Sequence, residues 1–284
     1  MPLLRRPVPS AILAVLTSTS LLAADLDFAS PHVAYTTGSG PRTVAIGLLD
    51  GNTSNDLVVG NGSSGTISVL LNNGDGTFAA KIDSVVPGNP SSLAIVDLDG
   101  DGENDVVVAN QITAGKISVF MGQGDGTFLP RVDFTASSAL VAMRVVDVDQ
   151  DGELDVIATG TGIDFFKGDG AGGFAPVVRL LTTGAVNSVT VGDLDGDGAI
   201  DIACTLDSHL ATLLGNGDGT FATPVTYDTG APDLSVGAGD FNGDGLLDLA
   251  ESHYFGPTHE IAVLLNLGGG MFGPATSFAT GREP

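Results

Sequence analysis

The chain has 284 residues, with 34 acidic against 10 basic ones, a formal net charge of −24 at pH 7, 41 glycines, one cysteine and no tryptophan. That charge disfavours nucleic acid and anionic membrane surfaces as partners, and the lone Cys204, placed in an apolar strand, excludes an intramolecular disulfide and reads as a buried thiol. Beyond the N-terminal region no stretch reaches the ~18 consecutive apolar residues of a spanning helix.

Residues 1–24 read as a signal peptide. Arg5 and Arg6 precede an apolar run, Ala11 to Leu22, that closes on Ala23-Ala24, and the run is too short to span a bilayer. Cleavage is expected before Asp25. The mature chain is then expected to be secreted, extracellular or periplasmic, with no membrane insertion after removal of the leader.

From residue 28 onward the chain repeats itself. Phe28, Phe78, Phe128, Phe174, Phe221 and Phe272 recur at spacings of 46 to 51 residues. Inside one unit, Leu93 to Val96 enters an acidic loop, Val106 to Ala109 leaves it, and Ile117 to Met121 alternates. Gly124-Asp125-Gly126-Thr127-Phe128 then turns the chain into Val132-Asp133-Phe134. Four short strands per repeat, with turn residues between them and no amphipathic helix, predict an all-β β-propeller of four-stranded antiparallel blades. The predicted units are 39–88, 89–138, 139–184, 185–230 and 231–281, preceded by a lone strand at 28–38. Hairpin turns are expected at residues 74–76, 124–126, 168–170 (Gly168-Asp169-Gly170) and 217–219, and at Gly268-Gly269-Gly270. Either five blades close a ring with the spare strand latched onto the last blade, or the chain forms part of a larger propeller. The second arrangement leaves an open edge that invites self-association.

The loop between the first two strands carries the chemistry. Four copies obey D-x-[DN]-x-D-G-x-x-D: Asp97, Asp99, Asp101 and Asp105; Asp147, Asp149, Asp151 and Asp155; Asp193, Asp195, Asp197 and Asp201; Asp240, Asn242, Asp244 and Asp248. Oxygen donors at loop positions 1, 3, 5 and 9, a glycine at 6 and a backbone carbonyl at 7 (Glu103, Glu153, Ala199, Leu246) suit calcium, which takes 6–8 oxygens in flexible geometry. About four Ca2+ are therefore expected. These loops are not EF-hands, because position 12 is Val108, Ala158, Cys204 or Glu251 and short β-type runs follow in place of helices. The corresponding loop of the first unit, residues 48–56, has Leu48 at position 1 and Thr53 at position 6, so a weak or empty site is expected there.

The acidic loop, with Ser-Leu-Ala-Ile-Val before it, Asp-Val-Val-Val-Ala-Asn after it and Gly-Asp-Gly-Thr-Phe further on, resembles the FG-GAP or VCBS repeat over nearly the whole mature chain. Integrin alpha-subunit heads are built of similar repeats as seven-bladed propellers with Ca2+ in these loops. The resemblance thus implies the fold, the ion and the same aspartates as its ligands, while five units depart from the seven-blade pattern. Similar repeats occur in adhesion proteins, sugar-binding propellers and some polysaccharide lyases.

Outside the calcium loops, the connection Glu251-Ser-His-Tyr-Phe-Gly-Pro-Thr-His-Glu260 concentrates polar groups, and on a strand Glu251 and His253 share a face. The favoured reading is a polar strand turned to solvent at an unclosed edge. The competing one is a ligand or catalytic site. Nothing resembles H-E-x-x-H, G-x-S-x-G or a cysteine nucleophile. The expected function is a secreted, non-catalytic binding or adhesion module with structural calcium and an extracellular protein or glycan ligand; the alternative is a carbohydrate-active propeller, lyase or lectin, using residues 251–260.

Overall fold

Twenty strands follow one another along the chain. The first sheet contains β1 (Pro41–Gly47), β2 (Asp56–Asn61), β3 (Thr66–Leu70) and β4 (Ile82–Val85), and the second β5 (Asn89–Val96), β6 (Asp105–Gln111), β7 (Lys116–Phe120) and β8 (Val132–Thr135). The third holds β9 (Ala142–Val146), β10 (Asp155–Gly160), β11 (Gly162–Phe166) and β12 (Val178–Leu181). The fourth holds β13 (Val189–Gly192), β14 (Asp201–Leu206), β15 (His209–Leu213) and β16 (Val225–Tyr227), and the fifth β17 (Asp233–Gly239), β18 (Asp248–His253), β19 (Glu260–Leu264) and β20 (Thr276–Ala279). This computed structural model describes residues 33–230, 233–253 and 260–280. The leader and the start of the strand expected at 28–38 lie outside the described residues, and residues 33–38 form no strand.

Each sheet is an antiparallel meander in chain order, the arrangement that short strands and tight turns favour. The first strands β1, β5, β9, β13 and β17 lie against one another in sequence, so each sheet is a blade stacked on the next. The second strands of blades two, three and four are covered on both faces. Val106, Val107, Val108 and Ala109 are all fully buried, which is why β6 reads as a continuous apolar run and does not alternate.

Residues paired across a ladder share a face, and this sorts each blade into two sides. In blade two, Leu93, Ile95, Val106, Val108 and Phe120 form the front and pack with Val58, Ile67 and Val69 of blade one. Val107, Ala109, Ile117 and Val119 form the rear and pack with Val156, Ala158 and Phe166 of blade three. The same front-to-rear contact joins blades three and four, and blades four and five. Each fully buried Val, Ile or Leu contributes about 1.5–3 kcal/mol.

Phe128, Phe174, Phe221 and Phe272 sit in these junctions. From Phe78 to Phe272 each repeating phenylalanine pairs with the residue that opens its hairpin turn, as in Asn72↔Phe78 and Gly122↔Phe128. Phe128 meets Phe120 edge-on at 5.9 Å, and Phe174 meets both Phe134 and Phe166. Blade three corrects one expected turn. The Gly168↔Phe174 pairing places Asp169 level with Asn73 and Ala171 level with Asp75, and Asp169 accepts the N–H groups of Ala171 and Gly173. The glycine-aspartate order at 168–170 is therefore shifted by two residues from the turn at 74–76.

Candidate metal centre

The buried aspartate at position 9 holds the base of each acidic loop. Asp105 accepts the N–H of Leu98 on one oxygen at 2.9 Å and that of Gly122 on the other at 2.7 Å. Asp155 does the same with Val148 and Gly168, Asp201 with Leu194 and Gly215, and Asp248 with Phe241 and Asn266. The first unit keeps this clamp although it lacks the first ligand, because Asp56 accepts from Leu49 and Asn72. The clamp ties the loop to the hairpin after the third strand, and it does not depend on the rest of the motif. Burial pushes the carboxyls of Asp56, Asp105, Asp155 and Asp201 above their ordinary value, against the pull of these N–H groups; the neighbouring charges of Asp99 and Asp101 add to the rise at Asp105.

The exposed end of the loop is braced by its own backbone. Asp97 accepts N–H groups from Gly100 at 2.8 Å and Gly102 at 3.0 Å, Asp99 accepts that of Asp101, and Asp101 that of Glu103. The third loop repeats the set around Asp193, Asp195 and Asp197, the last accepting from Ala199. The fourth repeats it around Asp240, Asn242 and Asp244, with the Leu246 N–H on Asp244. This bracing needs left-handed backbone at position 4 as well as at position 6. Gly100 and Gly102 lie at φ 73° and 92°, and Gln150 takes the position-4 conformation at φ 59° without being glycine. Glycine at position 4 in three of the four loops was the sequence signal for this, and the motif as read left that position free.

Carboxylate oxygens of Asp97, Asp99 and Asp101 lie within 4.8 Å of one another, as do those of Asp193, Asp195 and Asp197. In the second loop the gathered set is Asp147, Asp149 and Asp155. One oxygen each of Asp147 and Asp149 is buried without a hydrogen-bond partner. A donor set made only of hard oxygens, crowded and partly unsatisfied, fits an oxygen-seeking cation such as Ca2+. Asp105 and Asp201 stand outside the gathered sets, as clamps. Asp151 in the second loop accepts the N–H of Glu153 at 2.9 Å.

Sequence reasoning missed Lys167. It follows β11 at the position taken by Leu71, Met121, Leu214 and Leu265 in the other blades. Its ammonium bonds to Asp149 and lies 2.9 Å from Asp151. The two carboxylates, Asp149 first, hold it protonated well above the ordinary lysine range. An ammonium group thus stands among the second loop's carboxylates. Its signal in the sequence was a lone basic residue where every other blade is apolar.

The structure overturns the solvent-edge reading of Glu251 and His253. Both lie on the front of β18, in the set that pairs Val236 with Glu251 and Glu251 with Ala262, and they are 1% and 3% exposed. They face blade four, away from the open side, with Glu251 Oε2 3.6 Å from His253 Nε2. Their side chains are sealed from solvent; residues 254–259 lie outside the described residues. Burial first, and the Glu251 charge second, push the Cys204 thiol up to about 12.

Five four-stranded antiparallel sheets stacked front to rear, with an acidic loop between the first two strands of each, define a β-propeller. The chain belongs to the FG-GAP-like repeat family, which matches residues 49–108, 97–158 and 193–250, more than half of the sequence. No curated protein sequence matches it. Among solved structures it is similar to an Agrocybe aegerita lectin described as specifically recognising non-reducing terminal N-acetylglucosamine (22% identity, TM-score 0.58, 84% of this chain and 66% of the lectin). It is also similar to the Vibrio cholerae biofilm matrix protein Bap1 (18% identity, TM-score 0.53, 86% of this chain and 39% of Bap1). A functionally unknown protein of Desulfotomaculum acetoxidans aligns at 12% identity with TM-score 0.60, over 87% of this chain and 72% of that one. The chain thus spans under two thirds of Bap1 and 66% of the lectin. At these identities the likeness concerns the fold.

Proposed function

We propose that this protein is a secreted propeller that uses calcium as a staple and works as a non-catalytic binding or adhesion module. The observation that carries the reading is the cluster of braced carboxylates at positions 1, 3 and 5 around Asp97 and again around Asp193, all oxygen and pre-folded by backbone N–H groups. Asp97, Asp99 and Asp101 and their counterparts supply charge. The position-7 carbonyls of Glu103, Glu153, Ala199 and Leu246 complete the loop, and the position-9 aspartates anchor it. Calcium supplies positive charge that relieves the carboxylate repulsion. Because the loop joins the first strand of a blade to the second, binding it stabilises the blade, by about 2.7 kcal/mol per site at a free concentration of 100 Kd.

The leader of residues 1–24 supports export. The lectin and the matrix protein that share the fold make glycans and extracellular matrix the ligand classes to screen first. The lyase alternative is weakened because the Glu251 and His253 side chains have no access to solvent. Equilibrium dialysis, together with melting curves in calcium and in chelator, tests the staple. Two or more bound ions and a melting temperature that falls on chelation are expected; fewer than two ions, or indifference to chelator, would refute it. A glycan array beside a turnover assay on uronic-acid polymers tests the binding role, and polymer cleavage would overturn it.

A further inference from the structure

Four apolar clusters join five blades, each made by the rear of one blade and the front of the next. One front and one rear are left over. On the second strands, the front position is fully buried in Val106, Val156, Ile202 and Leu249, while its blade-one counterpart Leu57 is only half-buried. The rear position is fully buried in Val58, Val107, Ile157 and Ala203, while Ala250 in blade five is half-buried. Ile67, Ile117, Ile163 and Leu210 are sealed within junctions, and their fifth counterpart, Ile261, is 38% exposed. Val44 and Ile46 on the front of blade one are 57% and 64% exposed.

The leftover faces have the details of a junction. Where blade one meets blade two, the front of blade two seats Ile95 over Gly47 and Pro90 over Gly60; a Cβ on Gly47 would meet Ile95 at 2.8 Å, and one on Gly60 would meet Pro90 at 3.0 Å. The front of blade one carries the same residues at the same register, Pro41 opposite Asn61 as Pro90 is opposite Asn110, and Ile46 opposite Leu57 as Ile95 is opposite Val106. The rear of blade five presents Gly239 opposite Asp248, as Gly47 stands opposite Asp56. Beside it a shallow apolar groove runs past Gly237, Ala250 and Ile261, and a Cβ on Gly237 would touch nothing. The projecting isoleucine and a glycine at the matching register are thus both present, on opposite ends of one chain; the Phe241 ring, 54% exposed, stands 3.1 Å from where a Cβ on Gly239 would lie and has to turn aside for the isoleucine.

We propose that the rear of blade five docks onto the front of blade one of a second copy of this chain, continuing between molecules the packing that joins blades within one. Ile46 of the incoming copy sits over Gly239, and Pro41 lies against Ser252. The contact uses different surfaces on the two copies, so it builds head-to-tail chains or rings and not a two-fold dimer. Sedimentation velocity of the full chain over a wide concentration range, in calcium, tests it with Ile46→Lys and Ile261→Lys. Both positions are exposed in a single molecule, so melting temperature checks that the variants fold. Wild type is expected to grow in mass with concentration, and each variant alone to lose association at least tenfold. An equimolar mixture of the two variants, which retains one intact front and one intact rear, is expected to stop at 1:1 dimers. A wild type that stays monomeric throughout overturns the proposal. Variants that assemble as wild type does, or a mixture that fails to pair, overturn it equally.

Discussion

Within each acidic loop the aspartates divide into two kinds of work, and single substitutions separate them. Asp105 serves two buried N–H groups at once, so Asp105→Asn turns an amide donor toward one of them. The expected loss is about 2–3 kcal/mol, since hydrogen bonds to charged groups and unmet buried donors each have that scale. It should be of similar size with calcium and with chelator. Asp97 sits at the exposed end, and Asp97→Asn should destabilise the calcium-loaded protein clearly more than the chelated one. Denaturant titrations of both variants in the two conditions check the contrast. Lys167 offers a third test. Its ammonium is paired with Asp149 and Asp151, so Lys167→Met, which installs the residue type of Met121, should tighten calcium at the second loop or raise the bound count by one. Dialysis reads this directly, and an unchanged isotherm would refute the expectation.

At the scale of the element, the hairpin turns carry a pH signature of their own. Thr127 gives Asp125 its hydroxyl at 2.5 Å and its N–H at 2.9 Å; these bonds, the hydroxyl first, hold the Asp125 carboxyl below the usual carboxylate range. A group with a lowered folded-state pKa adds stability that is present above its unfolded value, about 3.9, and is lost as the pH falls through the folded one. The stability gap between wild type and Thr127→Val should therefore be full at pH 7 and vanish in acid. Urea unfolding at the two pH values measures it. Asp75 and Asp218 are held down by Thr77 and Thr220 in the same way. In blade three Asp169 occupies a different turn position and bonds to the backbone, a shift that glycine-rich sequence hides because Gly-Asp-Gly and Gly-Ala-Gly overlap within five residues.

For the whole molecule, much of the architecture was legible in the residues. The 46- to 51-residue phenylalanine ladder, the period-2 runs and the turn chemistry fixed strands, sheets and the place of the acidic loops, because these are local consequences of backbone preference and side-chain alternation. The oxygen-rich loops were legible for the same reason, their side chains being packed into nine consecutive residues. Glu251 and His253 were misread as solvent-facing. Alternation assigned them a shared side of the strand correctly, yet only the stacking of blade five on blade four says that this side is the covered one. Lys167 was missed because its partners lie 16 and 18 residues away, and only the curl of β10 against β11 brings them together. The clamping role of the position-9 aspartates was hidden likewise, since Gly122 reaches Asp105 across a full hairpin. Sequence by itself determined what each blade is made of, because strands, turns and acidic loops are written in short contiguous stretches. Only the tertiary structure decided which blade faces are sealed and which stand open, because burial depends on what a neighbouring sheet brings to the surface and no local pattern encodes the neighbour.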